Sequence, residues 1–380
     1  MTGLDDAFMS LAARAALRGQ GLVEPNPMVG CVLVRGGAVI GIGHHRRFGG
    51  LHAEREAIAA CRAAGRETRG ATAYVTLEPC NGVGKQPPCT EALVEAGIAR
   101  VVYAARDPNP SKAGGAEVLR SGGMIVDHLA GHHLAERLSA PFRKLASTGV
   151  PWVTAKWAQT IDGRIATRTG QSQWISSRAS RRRVHRLRAR VDAVLTGVGT
   201  VLADDPLLTA RPEAGARRVR RVGRRVVIDS KLMTPVESKL VASARQAPVT
   251  IITTRRDAAW ERRRAALLAA GAEVVDVAAT SDGEVDLSAA LRLLGAGLGV
   301  STVLVEAGPR LLGGLLGHSL IDEAVVHLAP MIMADELARP VAAGRVVPML
   351  TGASRWRLER AKAVGPDVEL WYARADAAAS

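Results

Sequence analysis

The sequence predicts an α/β protein made of two successive α/β domains. Three observations carry that expectation. The chain has 380 residues, more than a single core comfortably spans. Apolar runs of strand length alternate with amphipathic stretches of helix length in both halves. Near residues 146–151, Ala-Ser-Thr-Gly-Val-Pro interrupts that alternation as a linker does. The expected domains are residues 1–147 and 151–378.

Residues 4–18 place apolar side chains at helical spacing, and Pro25-Asn26-Pro27 reads as a turn. Met28 to Val34 and Ala38 to Ile42 are expected strands, joined by a Gly36-Gly37 hairpin. A helix is expected over 53–64, and a short buried strand over Ala73 to Leu77. A second helix follows Cys89 and stops at Gly97, and another strand runs from Arg100 to Ala105. Beyond the linker, strands are expected at Trp152 to Ala158, Ala193 to Gly197, Arg225 to Asp229, Val249 to Thr253 and Thr302 to Glu306. Helices are expected at 177–190, 257–271, 286–298 and 309–317, and Arg211 to Arg224 reads as an exposed loop.

Composition narrows the function. The hydrophobic fraction is 47% but aromatics are only 3%, so aliphatic residues and Ala must fill the cores. No apolar run is long enough to cross a bilayer, and the first residues lack the basic and apolar regions of a secretory signal. Four cysteines in so long a chain do not make a disulfide scaffold, and the expected location is the cytoplasm. The net charge of +15 raises nucleic-acid binding as a reading. Against it, the basic run Arg178 to Arg190 reads as a helix with Val184, Leu187 and Val191 on its buried side. No aromatic interleaves with that run to stack on bases.

The chemistry concentrates in His52-Ala53-Glu54, Glu78-Pro79-Cys80 and Cys89. One imidazole and two thiolates make a three-ligand zinc set with one open tetrahedral position, and Glu54 is placed to move protons beside it. The H-x-E…P-C…C order is that of zinc-dependent base deaminases, in which the Glu is acid/base and not a ligand. His52 and Cys89 fall at expected helix N-termini, whose partial positive charge favours thiolate over thiol. Cys31 and Cys61 sit in apolar contexts and read as buried small hydrophobes. In the second half, Glu306-Ala-Gly308-Pro309 runs from a strand into a helix, a phosphate-binding geometry. Gly197-Val-Gly199-Thr200 lacks the third glycine of a dinucleotide fingerprint.

Taken together, these residues resemble the bifunctional riboflavin-biosynthesis deaminase/reductase family. The first half carries Pro25-Asn26-Pro27-x-Val29-Gly30-Cys31, His45, Gly49-x-x-His52-Ala53-Glu54, Thr76-Leu77-Glu78-Pro79-Cys80, Gly84-Lys85-x-Pro87-Pro88-Cys89 and Asp107-Pro108-Asn109-Pro110. The second carries Lys156-x-Ala158-x-x-Ile161-Asp162-Gly163-Arg164, Ser172-Gln173-Trp174-Ile175-Ser176, Arg188-Ala189, Asp204-Asp205-Pro206, Leu208-Thr209-x-Arg211, Val305-Glu306-Ala307-Gly308-Pro309 and Val364-Gly365-Pro366-Asp367-Val368. The resemblance spans nearly the whole chain.

It implies a cytidine-deaminase-like three-layer α/β/α domain followed by a dihydrofolate-reductase-like α/β domain. The implied reactions are deamination of 2,5-diamino-6-(5-phosphoribosylamino)pyrimidin-4(3H)-one, then NADPH-dependent reduction of the ribosyl group to give 5-amino-6-(5-phosphoribitylamino)uracil. It further implies Zn2+ on His52, Cys80 and Cys89, with Glu54 and Lys85 catalytic and Asn26 and His45 at the substrate. In the reductase half it implies substrate contacts from Ser172, Arg188, Leu208, Arg211 and Glu306. Cofactor contacts are implied for Lys156, Ala158, Trp174, Thr200 and Asp204, and for the turn Gly308, Pro309, Arg310, Leu311, Leu312, Gly313 and Gly314. On general grounds Trp174 could equally be a core residue. The expected partners are phosphorylated pyrimidines and further copies of the chain, with no nucleic acid and no membrane.

Two segments depart from the family pattern. Asn81-Gly82 stands where the family has Ser-His, and Ser111-Lys112 precedes Ala113-Gly114 where an apolar residue is usual. Gly82 leaves open a reductase with an impaired deaminase half, the net charge of +15 leaves open a nucleic-acid-editing deaminase, and a third reading is a zinc scaffold with four protein ligands.

Overall fold

A computed structural model describes residues 3–84, 86–211, 221–254 and 258–375. The chain forms two compact units, Met1–Val150 and Pro151–Ser380. The first contains α1 (Gly3–Ala16), β1 (Gly30–Arg35), β2 (Ala38–His44), α2 (Ala53–Ala63), β3 (Thr72–Leu77), α3 (Cys89–Glu95), β4 (Arg100–Ala105), α4 (Gly115–Ser121), β5 (Ile125–His128) and α5 (His133–Thr148). Its strands form one sheet in the order β2-β1-β3-β4-β5. β1 is antiparallel to both neighbours, while β3, β4 and β5 run parallel.

Strand alternation divides the apolar side chains of this unit between two faces. Leu33, Val75, Val101 and Tyr103 pack with Ala57, Ile58 and Cys61 of α2 and Leu93 of α3. Val32, Val34, Tyr74, Val102 and Ala104 pack with Met9, Ala12 and Ala16 of α1 and Ala135 and Leu138 of α5. The result is a three-layer α/β/α sandwich. Glycine sets the seat of α2: a Cβ on Gly43 would lie 2.2 Å from the Ala53 carbonyl oxygen, and one on Gly41 would lie 2.6 Å from that of Ala57. Cys31 and Cys61 are fully buried, as their apolar contexts predict.

The second unit contains β6 (Trp152–Gln159), β7 (Arg164–Ala166), α6 (Arg178–Arg188), β8 (Ala193–Gly197), α7 (Val198–Asp204), β9 (Arg224–Ile228), α8 (Lys239–Ala242), β10 (Val249–Thr253), α9 (Ala258–Ala269), β11 (Glu273–Asp276), α10 (Leu287–Arg292), β12 (Thr302–Val305), α11 (Pro309–Gly317), β13 (Glu323–Leu328), β14 (Arg339–Pro340), β15 (Trp356–Val364) and β16 (Asp367–Arg374). Nine strands form one sheet, β11-β10-β9-β8-β12-β6-β13-β16-β15. Strands β6 and β8–β13 run parallel, and β15 and β16 close the far side antiparallel. The chain leaves β6, builds outward from β8 to β11, and returns with β12 between β8 and β6. The switch point where ligands settle in open α/β sheets therefore lies at the carboxyl ends of β8, β12 and β6.

One expectation needs correction here. The loop predicted from Arg211 to Arg224 ends earlier, because Arg224 opens β9 and pairs with Ala193 of β8. Residues 212–220 of that segment lie outside the described residues. Among the described residues, no helix is long and apolar enough to cross a membrane.

Candidate active sites

In the first unit, the sheet and two helices deliver three metal-ligating side chains to one point. His52 is the N-cap of α2, Cys89 opens α3, and Cys80 lies three residues past the end of β3. Cys80 and Cys89 are tied through the backbone, the Cys89 N–H donating to the Cys80 carbonyl at 3.1 Å. His52 Nδ1 lies 3.3 Å from Cys89 Sγ and 3.5 Å from Cys80 Sγ, and all three ligand atoms fall within 4.8 Å of one another. A tetrahedral zinc, with nitrogen at about 2.0 Å and sulfur at about 2.3 Å, needs ligand atoms roughly 3.5–3.8 Å apart. The donor set fits that ion with little movement. A hydrogen bond from Cys89 brings the Cys80 thiol down to about 4, and the same bond holds Cys89 well above the usual thiol range. Two sulfurs thus share one proton that a dication would displace.

Glu54 lies one residue into α2 and is 3% exposed. Burial raises its carboxyl above the usual range, and the nearby Cys80 thiolate raises it further. A carboxyl raised in this way is suited to hold and release a proton. His45 is buried beside this group, its ring 5.6 Å from that of His52 in an edge-on arrangement. It donates from Nδ1 to the Leu51 carbonyl at 2.8 Å, which leaves Nε2 to accept from Asn26 Nδ2 at 3.2 Å. The structure therefore gathers Asn26, His45, His52, Glu54, Cys80 and Cys89 into one site. Lys85 lies outside the described residues.

Glu78 and Thr90 were not singled out as functional in the sequence, yet both hold the site's frame. The Glu78 carboxylate accepts from the Ala116 N–H at 3.1 Å, at the start of α4, and from the Asp107 N–H at 3.3 Å. The Thr90 hydroxyl donates to Asn81 Oδ1 at 3.1 Å.

In the second unit, a charged cluster stands at the switch point. Arg188, at the end of α6, grips Glu306, just past β12, with two bonds of 2.6 and 2.9 Å. A third donor of Arg188 reaches the Thr209 carbonyl at 3.2 Å. Lys156 on β6 completes the cluster. Burial lowers its ammonium below the usual lysine range, although the Glu306 carboxylate works in the opposite direction. Ala158 follows Lys156 on the same face of β6. The Arg211 N–H donates to His185 Nδ1 at 3.3 Å, which brings that loop to the same end of α6.

Beside this cluster, α11 begins at Gly308 with Pro309 at its first position. Thr200, in the first turn of α7, faces Gly308: a Cβ there would lie 3.8 Å from its hydroxyl oxygen. Asp204 ends α7 and accepts from the Ser172 hydroxyl at 3.4 Å. Trp174 is 64% exposed, which excludes the core role, and the Arg181 guanidinium lies 4.2 Å from its ring centroid. A cavity of about 340 Å³ opens there, lined in part by Trp174, Ser176, Arg181, Met331 and Asp367.

The comparisons with known proteins cover both units. The family model described as the RibD C-terminal domain matches residues 151–370, and that of the cytidine and deoxycytidylate deaminase zinc-binding region matches residues 3–105. The riboflavin biosynthesis protein RibD of Escherichia coli is 38% identical over 367 residues, spanning 96% of this chain and 98% of the relative. This chain belongs to the bifunctional riboflavin-biosynthesis deaminase/reductase family.

Solved structures agree. Acinetobacter baumannii RibD superposes with a TM-score of 0.83 at 33% identity, covering 98% of this chain and 99% of that one. The deaminase/reductase of Thermotoga maritima gives 0.81 at 31% identity, with the same coverage. The deaminase/reductase family membership makes the first unit cytidine-deaminase-like and the second dihydrofolate-reductase-like. It also fixes the cofactors as zinc for the deaminase half and NADPH for the reductase half.

Within this family frame, three sequence-derived contacts need restating. Leu208 is buried in the core at 3% exposure, with φ +53°. The segment Gly308 to Gly314 is not a turn: from Pro309 onward it is α11. The Leu312 side chain is buried, and a Cβ on Gly313 would lie 1.9 Å from the Ala343 carbonyl oxygen. Those two positions pack the helix, while the first-turn N–H groups of Arg310 and Leu311 have no partner within the helix and face its N-terminal end. The basic run is divided: Arg181 stacks on Trp174 and Arg183 and Arg188 grip Glu369 and Glu306, while Arg178, Arg182, Arg186 and Arg190 are exposed.

Proposed function

We propose that the two clusters carry the two reactions separately, deamination at His52/Glu54/Cys80/Cys89 and reduction at Lys156/Arg188/Glu306. The convergence of three zinc-ligating atoms beside a buried, proton-holding Glu54 is the observation that carries the first assignment. Zinc, when bound by these ligands, supplies a Lewis acid that lowers the pKa of a water. Glu54 takes the proton that this water gives up, passes it to a pyrimidine ring nitrogen, and assists departure of ammonia. Burial lowers the His45 imidazole below its usual range, the Leu51 carbonyl and the Asn26 amide fix its tautomer, and His45 and Asn26 orient the pyrimidine. Lys85 is assigned to the same pocket on the motif alone.

In the second unit, NADPH supplies the hydride when bound. The N-terminal end of α11 and Thr200 hold its phosphates, Trp174 and Asp204 border it, and Ala158 leaves room for it on β6. Arg188 and Arg211 suit the sugar phosphate because a guanidinium offers paired donors to an oxyanion. Glu306 sets the Arg188 fork, and Ser172 completes the substrate side, with Leu208 supporting it from the core. Lys156, with its proton loosened by burial, is the group placed to give a proton as the ribosyl ring opens.

The substrates are the phosphorylated pyrimidines of the family's pathway. The basic helix spends Arg183 and Arg188 on the protein's own carboxylates Glu369 and Glu306, which supports small anionic substrates over nucleic acid. Four free cysteines, two of them in the metal set, support a cytoplasmic location. Exposed Ile332, Leu337, Val346, Met349 and Leu350 support assembly into a homo-oligomer.

Supplying each substrate separately tests the assignment. The diamino pyrimidine without NADPH should release ammonia, and the deaminated pyrimidine with NADPH should oxidise it. Reduction without any ammonia release would favour the impaired-deaminase reading that Gly82 raises.

A further inference from the structure

The stretch between the two cysteines is held by a loop from the other side of the site. The Asn81 N–H donates to the Lys112 carbonyl at 2.9 Å. A Cβ on Gly115 would lie 1.8 Å from the Pro79 carbonyl oxygen, and one on Gly82 would lie 2.0 Å from that of Ser111. Two backbones therefore run in direct contact from Pro79 to Gly82, and no side chain fits at residue 82. The Lys112 side chain fills that space. Its Cδ would be 2.9 Å from a Cβ on Gly82 and its Nζ 3.0 Å from one on Gly84. The ammonium donates to the Val83 carbonyl.

The loop that presents Lys112 is itself fixed. The Asp107 carboxylate accepts from the Asn109 N–H at 2.9 Å, and the Asn109 carbonyl accepts from the Lys112 and Ala113 N–H groups, each at 2.8 Å. Gly82 and Lys112 are thus complementary, and both lie in the two segments where this chain departs from its family.

We propose that Lys112 is a positioning residue of the deaminase site, holding the Asn81–Gly84 segment so that Cys80 stays aimed at the metal position. The proposal rests on the deaminase reading for its catalytic consequence but not for its metal consequence. A charged donor on a carbonyl is stronger than a neutral one, and partners just outside a metal's ligands typically change affinity or activity by about 10–100-fold when removed. In the zinc-loaded full-length chain, Lys112→Met should hand its zinc to a competing chelator about 10-fold faster than the parent. Its deamination kcat should fall by about 10-fold with KM within about twofold. Lys112→Arg, which keeps a charged donor, should restore most of both. NADPH-dependent reduction by the same preparations reports that the second unit is intact, and a parent-like denaturant-unfolding midpoint of the first unit reports that the substituted unit is folded.

Gly82→Ala is the second arm. It forces a methyl into the space of Ser111 and Lys112 and should show the same fast zinc transfer. Unchanged zinc transfer in both Lys112→Met and Gly82→Ala would overturn the proposal. A rise in KM for Lys112→Met, with zinc transfer and kcat unchanged, would equally overturn it, by making Lys112 a substrate contact. Zinc transfer is read without turnover, so an inactive parent would sink the deaminase reading and leave this test standing.

Discussion

The two candidate sites are built by different means. In the deaminase half, four key side chains lie within short motifs, and helix N-termini set two of the three metal ligands. In the reductase half, Lys156, Arg188 and Glu306 come from a strand, a helix end and a strand end, far apart in sequence. A metal demands particular ligand types at fixed distances, so it leaves a compact trace in a sequence. A cofactor held by backbone N–H groups and a crevice leaves little trace, because almost any side chain permits such contacts.

The comparison can be broken most sharply at Glu54. Glu54→Gln should lower deamination by about 10²–10⁴-fold while reduction persists, measured with each substrate supplied separately. Parallel loss of both activities in folded protein would show that the sites are not independent. The reductase counterpart is Arg188→Ala, which strands Glu306. Loss of one member of a buried, doubly bonded charge pair costs about 2–3 kcal/mol, so kcat/KM for reduction should fall roughly 100-fold with ammonia release unchanged.

A smaller effect separates packing from binding on α11. Gly313→Ala drives a methyl toward the Ala343 carbonyl and should destabilise the second unit by about 1–3 kcal/mol, read by denaturant unfolding. Its main cost should be stability and not cofactor affinity, unlike substitutions at Gly308. The smallest expected effect is a pH dependence. Burial alone would raise the Glu369 carboxyl, but His327, Arg183 and Trp371 outweigh it and hold Glu369 well below the usual range. A lowered folded pKa contributes stability above the unfolded value of about 4.3, and that stability is lost as pH falls below it. Acid unfolding of Glu369→Gln should therefore show a shallower loss of stability across that range.

The legibility of the chain follows the same division. The periodicity of Arg100 to Ala105, Ala193 to Gly197 and Val249 to Thr253 marks those strands to the residue, because fully buried strands are short, apolar and bounded. It did not mark α4, β5 and α5, or β13, β15 and β16. Strands β15 and β16 carry Arg, Lys and Glu on a partly exposed edge, which hides the alternation. Helix α7 was read only as an incomplete glycine fingerprint, since seven residues give too few turns for a period to appear.

Among the site residues, the zinc set and Glu54 were legible from ligand chemistry. Asn26, His45 and the reductase contacts outside the Glu306–Pro309 strand-to-helix step came only through family resemblance. The Arg181–Trp174 stack was hidden inside a basic run, where charge reads as solvent exposure. Lys112 stood out only as a departure, because its role depends on a glycine thirty residues earlier that makes room for it.

The most direct test of two independent sites is metal analysis of Cys80→Ser together with both separate assays. The account predicts loss of tightly bound zinc, no ammonia release, and reduction at the parent's rate. Retained zinc with retained deamination, or loss of reduction in a folded chain, would contradict it.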